Sequence, residues 1–210
     1  MLSIINCYYT RWCLIVSGLL FLGMQVSPAG QALAHPHVFL ETEIEIEFNE
    51  QGLKGIWQEW IFDEYQSSWI INQYNIDQEG EISSQELDRL YRETFENLKH
   101  YNFFTMVMVG DEKIPATKIE DFSVKVQDGL AIYSFFVPFD MEINQEKQEL
   151  FILVYDESYF CHVFFPPDDI GFKGDLSSWA IDYSIQKKSS LRFYFGMVTP
   201  EAIKLSITPL

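Results

Sequence analysis

Residues 38–48 alternate with a period of two. Val38, Leu40, Thr42, Ile44, Ile46 and Phe48 fall on one side of an extended chain, and Glu41, Glu43, Glu45 and Glu47 fall on the other. That pattern predicts a strand with one face in the core and one in water. Asn49-Glu50-Gln51-Gly52 is a turn signal, and residues 53–62, with Trp57, Trp60 and Ile61, return as the second strand of a long antiparallel hairpin. The glutamate row reads as a solvated face rather than a ladder of metal ligands, because one side of an antiparallel sheet is commonly wet.

The period changes over residues 63–100. Residues 63–74 and 84–98 are compatible with helices. In the second, Leu87, Leu90, Tyr91, Phe95 and Leu98 mark one buried stripe. Ser83 or Ser84 caps its start, with Gln85 and Glu86 in the first turn. Strand patterns resume from Phe103. Residues 104–109 and 113–114 flank Gly110-Asp111. Residues 122–126 and 130–138 flank Asp128-Gly129, a hairpin turn. Residues 149–155 are nearly all apolar and predict a central strand. Residues 159–165 follow across Asp156-Glu157-Ser158 and end at Pro166 and Pro167. Two further runs, 179–185 and 191–195, complete the set of strands. The fold class is α+β: an antiparallel β-rich sandwich or rolled sheet, with a helix–EF-hand-like loop–helix inserted at 63–100 after the first hairpin.

The first 34 residues have a different composition. Arg11 is their only charge, a predominantly apolar run covers residues 13–26, and Ala32-Leu33-Ala34 ends a small, polar stretch. This is the three-part order of a secretory signal peptide, cut after Ala34. The run is shorter than the ~20 residues of a membrane-spanning helix. The expected product is one periplasmic domain, residues 35–210, with no direct membrane insertion. Cys7 and Cys13 leave with the signal, so Cys161 alone remains and an internal disulfide is impossible. Cleavage removes one arginine and no acid, taking the net charge from −17 to −18. Such a surface repels nucleic acid and attracts cations.

The same cleavage would make His35 the first residue of Ala34-His35-Pro36-His37. A terminal histidine offers its amine and its imidazole to one ion, and His37 supplies a third nitrogen; borderline divalent metals such as zinc, nickel and cobalt favour these donors. Pro36 has no N–H, so the copper site that uses the second residue's amide is blocked. The donors sit on a terminal tail, expected to be mobile. Asp156 and His162 flank one predicted turn and reach the terminus only through the fold. Cys161 and His162 are neighbours in a strand, so their side chains should point to opposite faces.

A second candidate lies in the insert. Asn75-Ile76-Asp77-Gln78-Glu79-Gly80-Glu81-Ile82-Ser83-Ser84-Gln85-Glu86 has the twelve-residue spacing of an EF-hand calcium loop. Asn75, Asp77 and Glu79 would supply oxygens, Gly80 the sharp turn, Glu81 its carbonyl, and Glu86 a bidentate carboxylate. Asn75 at the first position and the long Glu79 at the fifth depart from the usual pattern.

Together, Ala-His-Pro-His-Val-Phe after a signal, the Trp57…Trp60-Ile61-Phe62-Asp63 strand, the EF-like loop and Val154-Tyr155-Asp156-Glu157-Ser158-Tyr159-Phe160 resemble one family. It is an uncharacterised bacterial periplasmic family, a domain of unknown function described as the periplasmic component of a transport system and associated with nickel, cobalt and zinc permeases. The resemblance covers essentially all of residues 35–210. Its initial His-x-His maps onto His35 and His37, and its tyrosine–aspartate strand end onto Tyr155 and Asp156. It implies a metal-binding accessory protein partnered with an inner-membrane metal permease. The alternative is a structural or interaction module that holds no transition metal, its EF-hand-like loop clipped by calcium. No Gly-x-Ser-x-Gly, His-Glu-x-x-His, phosphate-binding glycine loop or cysteine–histidine signature points to an enzyme.

Overall fold

The predicted hairpin forms as β1 (Val38–Asn49) and β2 (Gly52–Phe62), antiparallel, with Leu40 opposite Phe62 and Ile46 opposite Ile56. The computed structural model describes residues 35–76, 82–143 and 146–210, all within the compact unit His35–Leu210. The apolar row of β1 is buried, Thr42 included. The glutamate row is only partly solvated. Glu47 accepts hydrogen bonds from Lys54 at 2.6 Å and Trp57 at 2.7 Å, and Glu45 accepts one from Lys173 at 2.8 Å. Burial, and then the neighbouring carboxylates of Glu59 and Asp169, hold Glu43 above the usual carboxylate range.

Asp63 ends β2 and starts α1 (Glu64–Gln73). One of its carboxylate oxygens accepts from Gln66 N at 2.9 Å as a helix cap, and the other accepts from Phe39 N at 2.9 Å. Helix α2 (Ser84–Leu90) is capped by Ser83. The stripe from Leu87 to Leu98 packs on the core as its spacing predicts, but the segment is not one α-helix. It loosens into a π turn (Tyr91–Phe95) and then tightens into 3-10 structure (Glu96–Phe104). Asn102, Phe103 and Phe104 carry φ of 53°, 48° and 57°. Bulky residues in this left-handed region cost about 1–3 kcal/mol each, so the surrounding core must hold the bend in place.

Nine more strands follow among the described residues. They are β3 (Thr105–Val109), β4 (Glu112–Pro115), β5 (Glu120–Gln127), β6 (Leu130–Glu142), β7 (Gln148–Val154), β8 (Cys161–Phe164), β9 (Ile170–Gly174), β10 (Trp179–Lys187) and β11 (Glu201–Pro209). Asp128 and Gly129 both have positive φ in the turn between β5 and β6, as a tight hairpin of the primed type requires. One sheet runs β5-β6-β2-β1-β8, and β9 also pairs with β1. The other runs β10-β11-β7-β3-β4, with β7 central as its composition predicts. Pairing is mainly antiparallel. The exceptions are β8 and β9, which lie parallel to successive halves of β1.

Ile44, Ile46 and Ile56 from the first sheet share one core with Val107, Ile152 and Leu205 from the second. Because β7 is apolar on both faces, the second sheet also has an apolar outer side. Met106, Met108, Leu153 and Tyr155 cluster there with Leu191 and Phe193. This corrects the expected strand at 191–195. Tyr194, Phe195 and Gly196 all have positive φ, and the segment folds as turns that lay Leu191 and Phe193 on that side. Strands β9 and β11 are absent from the sequence-based expectation, although in β11 Ile203, Leu205 and Ile207 alternate with Lys204, Ser206 and Thr208 and are buried.

Inside the sandwich, Gln58 Nε2 donates to Thr105 Oγ1 at 2.9 Å, and Trp60 Nε1 donates to Gln58 Oε1 at 2.9 Å. Thr105 Oγ1 in turn donates to the Phe103 carbonyl at 2.8 Å. This buried chain ties β2 to β3 and anchors the left-handed bend. Gln58→Leu keeps the bulk but orphans the Trp60 N–H and a Thr105 partner. It is expected to destabilise the fold by about 1–3 kcal/mol, read as a shift in the urea midpoint at unchanged slope. An unchanged midpoint would show that the network contributes nothing net.

Candidate functional site

The site is built at the start of β1. The His37 and Val38 N–H groups both donate to the Phe160 carbonyl, at 2.8 and 3.1 Å. The histidine arm is therefore pinned to the fold at His37 and is not the mobile tail the sequence suggests. The His35 and His37 rings lie edge-to-face with centroids 4.8 Å apart. His37 packs on Phe160 at 5.0 Å, and His35 packs on Tyr194 at 5.4 Å. His35 Nδ1 is buried and makes no hydrogen bond.

Asp156 explains why the arm sits there. Its side chain is buried in the turn between β7 and β8. One carboxylate oxygen accepts from Ser158 N at 2.9 Å and Ser158 Oγ at 2.7 Å, and the other accepts from Cys161 N at 2.9 Å. Its backbone carbonyl accepts from Tyr159 N at 2.9 Å. Asp156 is thus a positioning residue that aims the Phe160 carbonyl at the arm, and its carboxylate is spent on its own turn.

His162 stands opposite Phe39 across the β1–β8 pairing. Its ring meets Phe39 at 5.9 Å, Tyr159 at 6.0 Å and Phe164 at 6.2 Å. It therefore lies along the same outer face as His37, two residues further along the strands. Cys161 points the other way, into the core, as neighbouring strand residues must. Burial, and then the carboxylates of Asp156 and Asp63, push its thiol up to about 12. It is a protonated thiol at neutral pH, and a poor metal ligand, since the thiolate is the ligand form. Among the described residues, no three His, Cys, Asp or Glu side chains converge as a metal-holding group.

The residues that sequence reasoning missed are aromatic. Phe160 and Tyr194 wall the histidines, and Tyr159 meets Tyr194 at 5.4 Å. Phe39, Phe160, Phe195 and Met197 are all about half exposed or more. Their convergence depends on the turns at 191–198, where the sequence pattern predicts a strand over 191–195.

In the helical insert, Asp77, Glu79 and Glu81 lie outside the described residues. The two ends of the loop meet: Asn75 Nδ2 donates to Glu86 Oε1 at 3.4 Å, and Ser83 Oγ donates to Glu86 Oε2 at 2.8 Å. Hydrogen bonding from Ser83 leads the causes that hold the Glu86 carboxyl below its ordinary value. The first and twelfth loop positions are therefore adjacent, and the Glu86 carboxylate is held by hydrogen bonds from Asn75 and Ser83.

A family model described as a protein of unknown function, DUF1007, matches residues 20–178. The chain belongs to this family, in agreement with the resemblance read from its motifs. The matched span contains the histidine arm, the helical insert and the Asp156 turn. It stops before Tyr194 and β11. The chain is also similar to the "Uncharacterized 15.5 kDa protein in trpE 3'region" of Spirochaeta aurantia. The two are 25% identical over 147 residues, which cover 67% of this chain and 99% of that protein.

The thiol gives a direct check on the Asp156 turn. Cys161 is expected to resist alkylation by iodoacetamide at neutral pH in the folded protein and to react fully on unfolding, as read by mass spectrometry. Its raised value also makes burial of the thiol stabilising below pH 9.0, a contribution lost as the pH climbs toward 12. Asp156→Ala should accelerate alkylation by releasing the turn. An equal rate in that variant would show that the carboxylate does not hold Cys161 in place.

Proposed function

We propose that this protein is a periplasmic metal-binding accessory protein that assists a membrane permease for nickel, cobalt or zinc. The observation that carries the reading is His35 Nδ1, buried without a hydrogen bond in an arm whose two imidazoles are 4.8 Å apart. Signal cleavage after Ala34 would turn the His35 amide into a primary amine. Amine and Nδ1 then close a chelate ring on one ion, and the adjacent His37 adds a third nitrogen. These are donors that borderline divalent metals prefer. The half-exposed aromatics around the arm supply a surface on which a permease can dock. The ion is cargo in this reading, so a three-nitrogen site of modest affinity suits release.

Calorimetry with zinc, nickel and cobalt tests it on three forms: one starting at His35, one extended by a residue before His35, and one carrying His35→Ala with His37→Ala. The first should bind one ion at micromolar affinity or weaker. The other two should lose about tenfold or more, the scale of removing a ligand or its support. Affinity should also fall with pH, because protons compete for the same nitrogens. Equal isotherms for all three forms would eliminate the terminal site.

A second reading is supported by the meeting of Asn75 with Glu86. In it, the protein is an interaction module whose helical insert is clipped by calcium in the millimolar range of extracellular modules. Calcium should then raise the melting temperature by binding the folded form, and Glu86→Gln should remove most of that rise. A rise retained in the variant would place calcium elsewhere on the acidic surface.

A further inference from the structure

Beneath the Asp156 turn, on the inner side of the histidine arm, lies a cavity of about 340 Å³. It is separate from the metal donors, although Phe160 borders both. We propose that this cavity binds a neutral, mainly apolar small molecule with an aromatic body.

The size falls within the range of small-molecule sites, roughly 300–1,000 Å³. The walls are aromatic rings, chiefly Trp60, Phe95, Phe104, Tyr133 and Phe160, with Trp69 at the rim. Aromatic walls favour a flat ring through offset and edge-to-face contacts. Trp69 and Tyr101 are 46% and 58% exposed, so the cavity opens to solvent between them.

The polar groups select against charge. Among the described residues, no lysine or arginine lines the cavity, and the one carboxylate there, Asp156, already accepts three hydrogen bonds from its own turn. An anion would meet that carboxylate with no cation to offset it, and its burial would be costly. The Cys161 thiol at the wall stays protonated and adds no charge.

The backbone is also shaped around this space. Thr94 and Phe95 come from the π turn, and Phe104 from the left-handed bend. π turns and strained bends of this kind gather at ligand sites. A cavity this size loses packing contacts unless something fills it.

The test uses protein purified after export of the full chain. The probe is N-phenyl-1-naphthylamine, which is neutral, followed by energy transfer from tryptophan. 1-Anilinonaphthalene-8-sulfonate has the same aromatic body with a sulfonate added. The neutral probe should saturate at one per chain and bind about tenfold or more tighter than the sulfonate, because the cavity holds nothing to pair with a buried anion. Leu98→Trp, which fills the cavity, should weaken the neutral probe about tenfold or more. Trp69→Ala, at the half-exposed rim, should weaken it by a smaller factor, which keeps the test decisive if Leu98→Trp fails to fold. Phe195→Ser, on the outer aromatic surface, should leave it unchanged. Absence of binding, equal affinity for the two probes, or a loss confined to Phe195→Ser would overturn the proposal.

Discussion

One buried carboxylate organises the crossing from the second sheet back to the first beside the histidine arm. The chain leaves the second sheet at Val154 and enters the first at Cys161, and Asp156 organises the crossing. A buried carboxylate is costly unless its oxygens are satisfied, and here Ser158 and Cys161 supply three donors. The turn that results fixes the Phe160 carbonyl, and that carbonyl takes both N–H groups at the start of β1. The placement of the arm, the parallel register of β8 and one wall of the cavity all follow from this turn. The requirement is geometric as well as electrostatic. Tyr159 holds φ of 58° within the turn, a conformation tolerated only because the hydrogen bonds around it leave no alternative.

Several elements with a clean period were legible in the sequence, while the equally regular alternation of β11 was missed. The alternation in β1, the Asp128-Gly129 hairpin and the apolar stripe of the helical insert each predict what forms. The misread segments are those whose shape depends on a distant face. Residues 191–195 look like a strand because they are apolar. They are apolar because they cover the outer side of β7, which local pattern does not show. The insert reads as a continuous helix because its stripe is intact. The shift to π and then 3-10 geometry comes from fitting Phe95, Phe103 and Phe104 around Trp60 and Phe135, with ring centroids between 5.0 and 5.8 Å.

The candidate site shows the same division. His35 and His37 stood out as candidates because their chemistry is local, two imidazoles at fixed spacing beside an expected cleavage point. Asp156 was visible as a candidate, yet its role could not be read from residue type. A carboxylate that binds an ion and one that caps its own turn look alike in a sequence, and only the donors at 2.7–2.9 Å separate them. Phe160 and Tyr194 were illegible for a further reason. Each acts through position, one by a strand pairing and one by a turn far along the chain.

Pinning the arm changes the energetics of any ion bound there. A donor set on a free tail must be ordered at the moment of binding, at about 1–2 kcal/mol for each residue fixed. Here two backbone hydrogen bonds and the rings of Phe160 and Tyr194 have already ordered it during folding. The number and type of donors then limit affinity, and order does not. In the proposed reading, a three-nitrogen site with an open coordination position would suit passing an ion to a partner that supplies the missing donor. Phe160, which packs on His37, stands half-exposed there. A partner covering it would bury apolar surface beside the proposed site, so docking and ligand exchange would reinforce each other.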